Sequence, residues 1–264
     1  MNKPKRFKPS EANEEYGRLP EYSELRTKEL TPMLKPYVDA TDKYGRLLSR
    51  LCLIIGEAAP ISVQDTVVRD LTADVFDFLF ESRVFILRGQ TLLALPLARR
   101  AYESLSLLHW CSLDPTAAED WARGKKISNG HVRKALAAHR MGEPEDKLQE
   151  LYKFFCEFTH PNREMIAFRR LGEGNRYVFG SIGTPDLVSV ADYCMKHLEL
   201  WFWLCPTVTY FYREKVLQRD PAFHDAHNNA RNHAQDVNKW LAGQFNQLLQ
   251  ESRIAQIVVK PSFT

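Results

Sequence analysis

The chain of 264 residues has no Cys-x-x-Cys pair, no Gly-x-Gly-x-x-Gly, no Gly-x-x-x-x-Gly-Lys and no Gly-x-Ser-x-Gly. The common metal-finger, dinucleotide, phosphate-loop and hydrolase-elbow signatures are therefore missing. No hydrophobic run approaches the roughly 20 residues that span a bilayer. The longest, residues 201–212, is interrupted by Pro206. A first segment reading MNKPKRFKPS has basic residues without an apolar stretch behind them, so no secretory signal is expected. Cysteines are few and odd in number: Cys52, Cys111, Cys156, Cys194 and Cys205 lie in apolar surroundings and read as reduced core thiols. Together these features point to the cytoplasm. A net charge of +3 is too small for a uniformly basic nucleic-acid domain, so any contact with RNA must come from a local patch. What is present is an ordinary globular composition, 44% hydrophobic and 26% charged, enough to build a sizeable core without staples.

Residues 1–22 are rich in Lys, Pro, Glu and Asn and lack apolar periodicity, which predicts a flexible arm. Residues 23–264 then read as one helical domain. A helical pattern over 24–55 is broken by Pro32 and Pro36, and Ser62 is placed to cap a second, amphipathic helix. Over 83–111 leucines occupy every side of the helical wheel, the mark of a helix enclosed by others. Shorter helices follow, one from Asp114-Pro115 to Gly124 and one over 128–139 stopped by Gly142. A longer helix over 143–160 ends before Pro161. The period changes over about 164–182, where Gly172, Gly174 and Asn175 predict the turn of a β-hairpin. An aromatic helix kinked by Pro206 runs from Thr184 to about Leu217, and a last one from Pro221 to about Ser252. The expected architecture is all-α, a multi-helix bundle with one inserted β-hairpin.

Placing Arg99 at zero degrees and stepping about 100° per residue puts Arg88 and Ser106 near −20° and Glu103 near +40°. A polar stripe thus crosses an apolar helix. Unpaired charge is costly to bury, so the stripe is either an ion pair that sets helix register or the wall of a pocket. His160, in the last turn before Pro161, is placed either to cap free carbonyls or to serve as a general acid or base, with Asn162 beside it. Arg169 and Arg170 of the hairpin are candidate phosphate ligands, and Arg88 a substrate contact. Glu157 and His160 have the Glu-x-x-His spacing of di-iron bundles, but the second such pair is absent. His224 and His227 lack companion ligands, so no metal and no cofactor is expected.

The order of features from Leu92 to Trp203 resembles bacterial all-helical proteins loosely related to the HEPN superfamily. The residues that carry it are the leucine-rich helix with Arg99 and Glu103 four apart, EDWARGKKISNGHVRKAL, LYKFFCEFTHPN and the Gly-containing hairpin. The resemblance implies a helical bundle that commonly dimerises, often a metal-independent ribonuclease of toxin-antitoxin or defence systems. It further implies a histidine handling protons during 2′-hydroxyl attack and an arginine stabilising the phosphorane. On that reading His160, Arg99 and Glu103 are catalytic. The superfamily's hallmark, Arg then His after four to six residues, occurs as Arg133 to His139 and Arg219 to His224. Chance alone supplies about two such spacings in this composition. Lys134 departs from the preferred residue after the arginine, Pro221 separates Arg219 from His224, and Phe155 stands where an arginine would precede His160. The competing expectation is a non-catalytic interaction protein whose aromatics Trp201, Trp203, Tyr210 and Tyr212 dock a partner or a second copy.

Overall fold

Proline and capping residues set most helix boundaries. A computed structural model of the chain describes residues 16–157, 170–171, 176–177 and 187–258. Helix α1 spans Leu19–Met33 and α2 Lys35–Gly56, divided at Leu34 between Pro32 and Pro36. Helix α1 starts inside the span expected as an arm, because Pro20 in its first turn is already in helical register. Ser62 caps α3, Val63–Leu87, by accepting from the Asp65 amide.

The expected enclosed helix over 83–111 is two helices, not one. Arg83 and Arg88 belong to the end of α3, and α4 begins after the turn, as Thr91–Leu113. Gly89, at φ 72°, makes the break. Its amide donates to Ile86 O at 3.0 Å and the Gln90 amide to Phe85 O at 2.9 Å, the double bond of a Schellman cap. Leucines flanking the turn on both sides hid it, since periodicity alone does not register a three-residue interruption between equally apolar segments.

Helix α5 is Pro115–Ala122, capped by Asp114, and α6 is Asn129–Ala138, capped by Ser128. Gly124, at φ 78°, ends α5 as expected. A Cβ on Gly142 would lie 1.8 Å from the Leu136 carbonyl oxygen, so the chain leaves α6 along a path open only to glycine. Gly142→Ala is expected to lower stability by about 2 kcal/mol through the forced shift of that helix end, read as the midpoint of urea unfolding.

Helix α7 is Glu145–Glu157. Within the stretch expected as a hairpin, the described residues form a ladder of two short strands, β1 Arg170–Leu171 and β2 Arg176–Tyr177, with Arg170 opposite Tyr177. So short a ladder does not amount to the inserted β-hairpin that was expected, and the architecture stands as all-α. The aromatic segment is also two helices: α8, Leu187–Phe211, runs through Pro206, and α9, Arg213–Arg219, follows it. Helix α10 is Phe223–Val258.

Helix α4 packs against α3 most extensively and also touches α5, α6, α7 and α8. Helix α8 lies against α10, α4, α2 and α3, so α4 and α8 form the middle of the bundle. Leu105 and Leu108 of α4 and Leu198, Trp201 and Leu204 of α8 belong to one continuous core that extends into every helix around them, and Trp203 of α8 lies against Tyr102 and His109 of α4. None of the described helices is long and apolar enough to cross a membrane.

Candidate functional site

Side chains of three helices meet around one tyrosine ring. Arg99 and Glu103, one turn apart on α4, form an ion pair with Nε 3.0 Å from Oε1. Both side chains are mostly buried, at 21% and 18% exposure, so the stripe read from the helical wheel is a half-sunken pair and not a solvated face. Burial works against the Arg99 charge, but the Glu103 hydrogen bond and the neighbouring Cys156, Glu103 and Tyr152 outweigh it, and its pKa is raised. The guanidinium is a permanent cation here.

Opposite α4, helix α7 contributes Tyr152, whose ring lies 5.9 Å from Arg99 Cζ. Helix α6 contributes Arg133, with Cζ only 4.1 Å from the same ring centroid. Two cations thus share one aromatic ring, an arrangement that stiffens both guanidiniums. The Tyr152 hydroxyl is pushed up first by its hydrogen bond with Cys156 and then by burial, while Arg99 and Arg133 pull it down. Below it Tyr102 donates to the Leu148 carbonyl at 2.7 Å, bolting α7 to α4. Burial raises the Tyr102 pKa to about 12, so this bolt stays protonated at any working pH.

Arg133 Nη1 is sealed from water and has no hydrogen-bond partner, and no carboxylate pairs with Arg133 among the described residues. A buried guanidinium N–H left unmade costs about 1–3 kcal/mol. Arg133 entered the sequence reading only as one of two Arg-to-His spacings that chance alone supplies, and Tyr152 not as a site residue. Their only shared signal is that each faces α4 from a different helix, and that needs the fold.

The remaining expectations divide. Arg88 is exposed at the C-terminal cap of α3, so it does not continue the Arg99 stripe. Ser106 is buried and donates to the Tyr102 carbonyl at 2.9 Å, a bond within its own helix. His160, Asn162 and Arg169 lie outside the described residues, and of Arg170 only the backbone is described. His139 caps α6, its Nδ1 accepting from the Met141 amide at 3.1 Å, while Arg133 turns to Tyr152. Arg219 pairs with Glu57 at 3.1 Å from α9, whereas His224 belongs to α10. Neither Arg-to-His spacing gathers its two residues for joint chemistry.

Three of the four aromatics expected to dock a partner are core residues. Trp201 and Trp203 are 1% and 7% exposed and Tyr212 8%, leaving Tyr210 alone at the surface. Trp203 Nε1 donates to His109 Nδ1 at 3.0 Å and Tyr212 donates to Asp65, so their polar ends are satisfied internally. Cys111, Cys194 and Cys205 are buried free thiols as expected, but Cys52 is exposed on α2. No grouping of three or more His, Cys, Asp or Glu among the described residues is suited to a metal ion.

Compared with family models, with curated proteins and with solved structures, the chain matches none.

Proposed function

We propose that this chain binds a phosphate-bearing ligand, RNA or a nucleotide, in the recess formed by Arg99, Glu103, Arg133 and Tyr152. The observation that carries the reading is the pair of guanidiniums, Arg99 and Arg133, held over one Tyr152 ring, of which only Arg99 pairs with a carboxylate among the described residues. Arg99 is neutralised by Glu103, whereas Arg133 has no such partner among the described residues, so the recess carries a net positive charge. A phosphate oxygen supplies the negative charge that Arg133 lacks. Because arginines already cover the Tyr152 ring, the recess suits phosphate recognition rather than base stacking.

The resemblance to the HEPN superfamily extends the reading to metal-independent RNA cleavage. In that extension the 2′-hydroxyl attacks phosphorus, the 5′-oxygen leaves, and a 2′,3′-cyclic phosphate and a 5′-hydroxyl remain. His160 would take the attacking proton, water would protonate the departing 5′-oxygen, and Arg99 and Arg133 would face the charge that builds on the phosphoryl oxygens. Arg169 and Arg170 would add backbone contacts, with Asn162 beside the histidine, and the same resemblance suggests a homodimer. For the competing role as a partner-docking protein, Tyr210 is the one expected aromatic anchor left at the surface.

Fluorescence anisotropy with a labelled single-stranded RNA, with a mononucleotide as competitor, tests the reading at low salt, where phosphate contacts are strongest. Arg133→Ala is expected to weaken binding by about tenfold or more, and Arg133→Lys to recover only part, since an ammonium lacks the guanidinium fork. Single-turnover incubation of the same RNA with native protein and with His160→Ala separates binding from cleavage. Native protein that binds neither RNA nor mononucleotide would overturn the proposal.

A further inference from the structure

Two guanidiniums and one carboxylate meet around Tyr152, so the described residues leave one positive charge there without a counter-charge. The carboxylate is Glu103, and it is held in place. It lies one turn from Arg99 on α4, with Oε1 3.0 Å from Nε, and is only 18% exposed. Arg99 is held in turn, its Cζ resting 5.9 Å from the centroid of the Tyr152 ring. Tyr152 belongs to α7, which the Tyr102 hydroxyl ties to α4 through the Leu148 carbonyl. Arg133 reaches the same ring from α6 at 4.1 Å and has no carboxylate partner among the described residues. An anion that meets Arg133 therefore does so close to a carboxylate fixed on the other arginine.

We propose, on the footing that this is a phosphate site, that Glu103 makes it selective for a phosphate with one charge, the internal diester of RNA, over a phosphate with two, the terminal monoester of a mononucleotide. Arg133 supplies one counter-charge, which a diester satisfies with its single negative charge shared between two oxygens. A monoester above its second pKa of about 6 brings a further charge. Arg99 already spends its Nε on Glu103, and the Glu103 carboxylate repels the added charge, so desolvating it goes uncompensated. A site suited to monoesters would instead turn two carboxylate-free guanidiniums onto the terminal oxygens. Arg99 and Arg133 are not matched in that way.

The groups that face Glu103 and its ring are Arg99 of α4, Arg133 of α6, and Tyr152 and Cys156 of α7, with Tyr102 beneath them. Arg99 stays a cation, and both tyrosines are pushed up, Tyr152 by its bond with Cys156 and then by burial, Tyr102 by burial. A diester keeps one charge from about pH 5 to 8, whereas a monoester passes from one to two across the same range. The preference for the diester is thus expected to grow as pH rises through about 6.

Displacement of the labelled RNA from the intact protein at low salt tests this, with the dinucleotide TpT, which has one diester, against thymidine 5′-monophosphate. Neither competitor has a 2′-hydroxyl, so neither is consumed by cleavage of the kind considered above. At about pH 7.5 native protein is expected to take TpT about tenfold more tightly than the monophosphate, and at about pH 5.5 the preference should shrink several-fold. In Glu103→Gln the monophosphate should gain about tenfold relative to TpT, and Glu103→Asp, which keeps the charge, should retain the native order. Should Glu103→Gln not fold, the two pH values on native protein carry the decision. Equal affinity for both competitors at pH 7.5, a preference indifferent to pH, or one that survives in Glu103→Gln would overturn the role of Glu103 and leave the phosphate site standing. RNA displaced by neither competitor, or no RNA bound at all, would remove both.

Discussion

Lowering the pH from 7 to 4.5 is expected to destabilise the fold by about 2–3 kcal/mol through His197 alone. This imidazole, on α8, is fully buried. Its Nε2 faces the Leu79 carbonyl at 3.0 Å, an atom that only accepts, so Nε2 carries the proton. Nδ1 is therefore bare and accepts from the Tyr37 hydroxyl at 2.8 Å. The neutral ring is satisfied at both nitrogens. Burial drives its pKa from 6.5 to about 3, with Leu79 pulling upward and Arg83 adding a smaller downward push. The unfolded chain takes up a proton below about 6.5, but the folded chain refuses it until near 3. Stability from His197 is thus complete above about pH 6.5, declines by up to about 1.4 kcal/mol per unit as pH falls, and is exhausted near pH 3. Urea unfolding at several pH values, with His197→Gln as comparison, reads this directly. The variant should be weaker at pH 7 yet lose much less on acidification. Parallel profiles would show that another group carries the acid sensitivity, since the lowered His109, His227 and His233 act with the same sign.

Asp65→Ala is expected to cost about 3–5 kcal/mol, the largest effect of any single substitution considered. Asp65 is the third residue of α3 and 4% exposed. Its carboxylate receives the Arg69 fork at 2.9 and 3.1 Å, the Tyr212 hydroxyl at 2.6 Å and the Ile61 amide at 3.0 Å. One side chain closes the start of α3, pairs its second turn and ties it to the junction of α8 with α9. Burial opposes the charge, but the bonds from Arg69, Tyr212 and Ile61 together hold the carboxyl below its usual range. Its contribution is therefore complete above about pH 4 and fades as pH falls below that. Removing the carboxylate strands a guanidinium, a hydroxyl and an amide at once. Comparing Asp65→Ala, Tyr212→Phe and the double variant by urea unfolding should give a coupling of at least about 1 kcal/mol. Additive effects would show that the aspartate acts only as a local cap.

Local chemistry made much of the helix plan readable. Ser62 caps the helix as expected, and Asp114 and Ser128, expected only as helix starts, cap theirs too, because a short oxygen-bearing side chain before a helical run has one favourable use. Gly124 ends α5 for an equally local reason. Gly89 went unread because its neighbours are as apolar as a continuous helix, and only the bonds to Phe85 and Ile86 expose the turn. The break also removes Arg88 from the stripe, for a wheel drawn through a turn assigns directions that do not exist. The opposite error touched Trp201, Trp203 and Tyr212, since a run of aromatics looks the same whether it faces a partner or the middle of a bundle.

The pairing of Arg99 with Glu103 lay within reach of the sequence, being a contact one helical turn long. So did the all-helical plan and the enclosed character of α4, both consequences of spacing along the chain. Tertiary structure alone placed Arg133 beside Tyr152, joined Tyr37 to His197 and closed Asp65 onto Tyr212. Those contacts link residues on separate helices, and periodicity specifies which way a side chain points on its own helix but not which neighbour stands opposite.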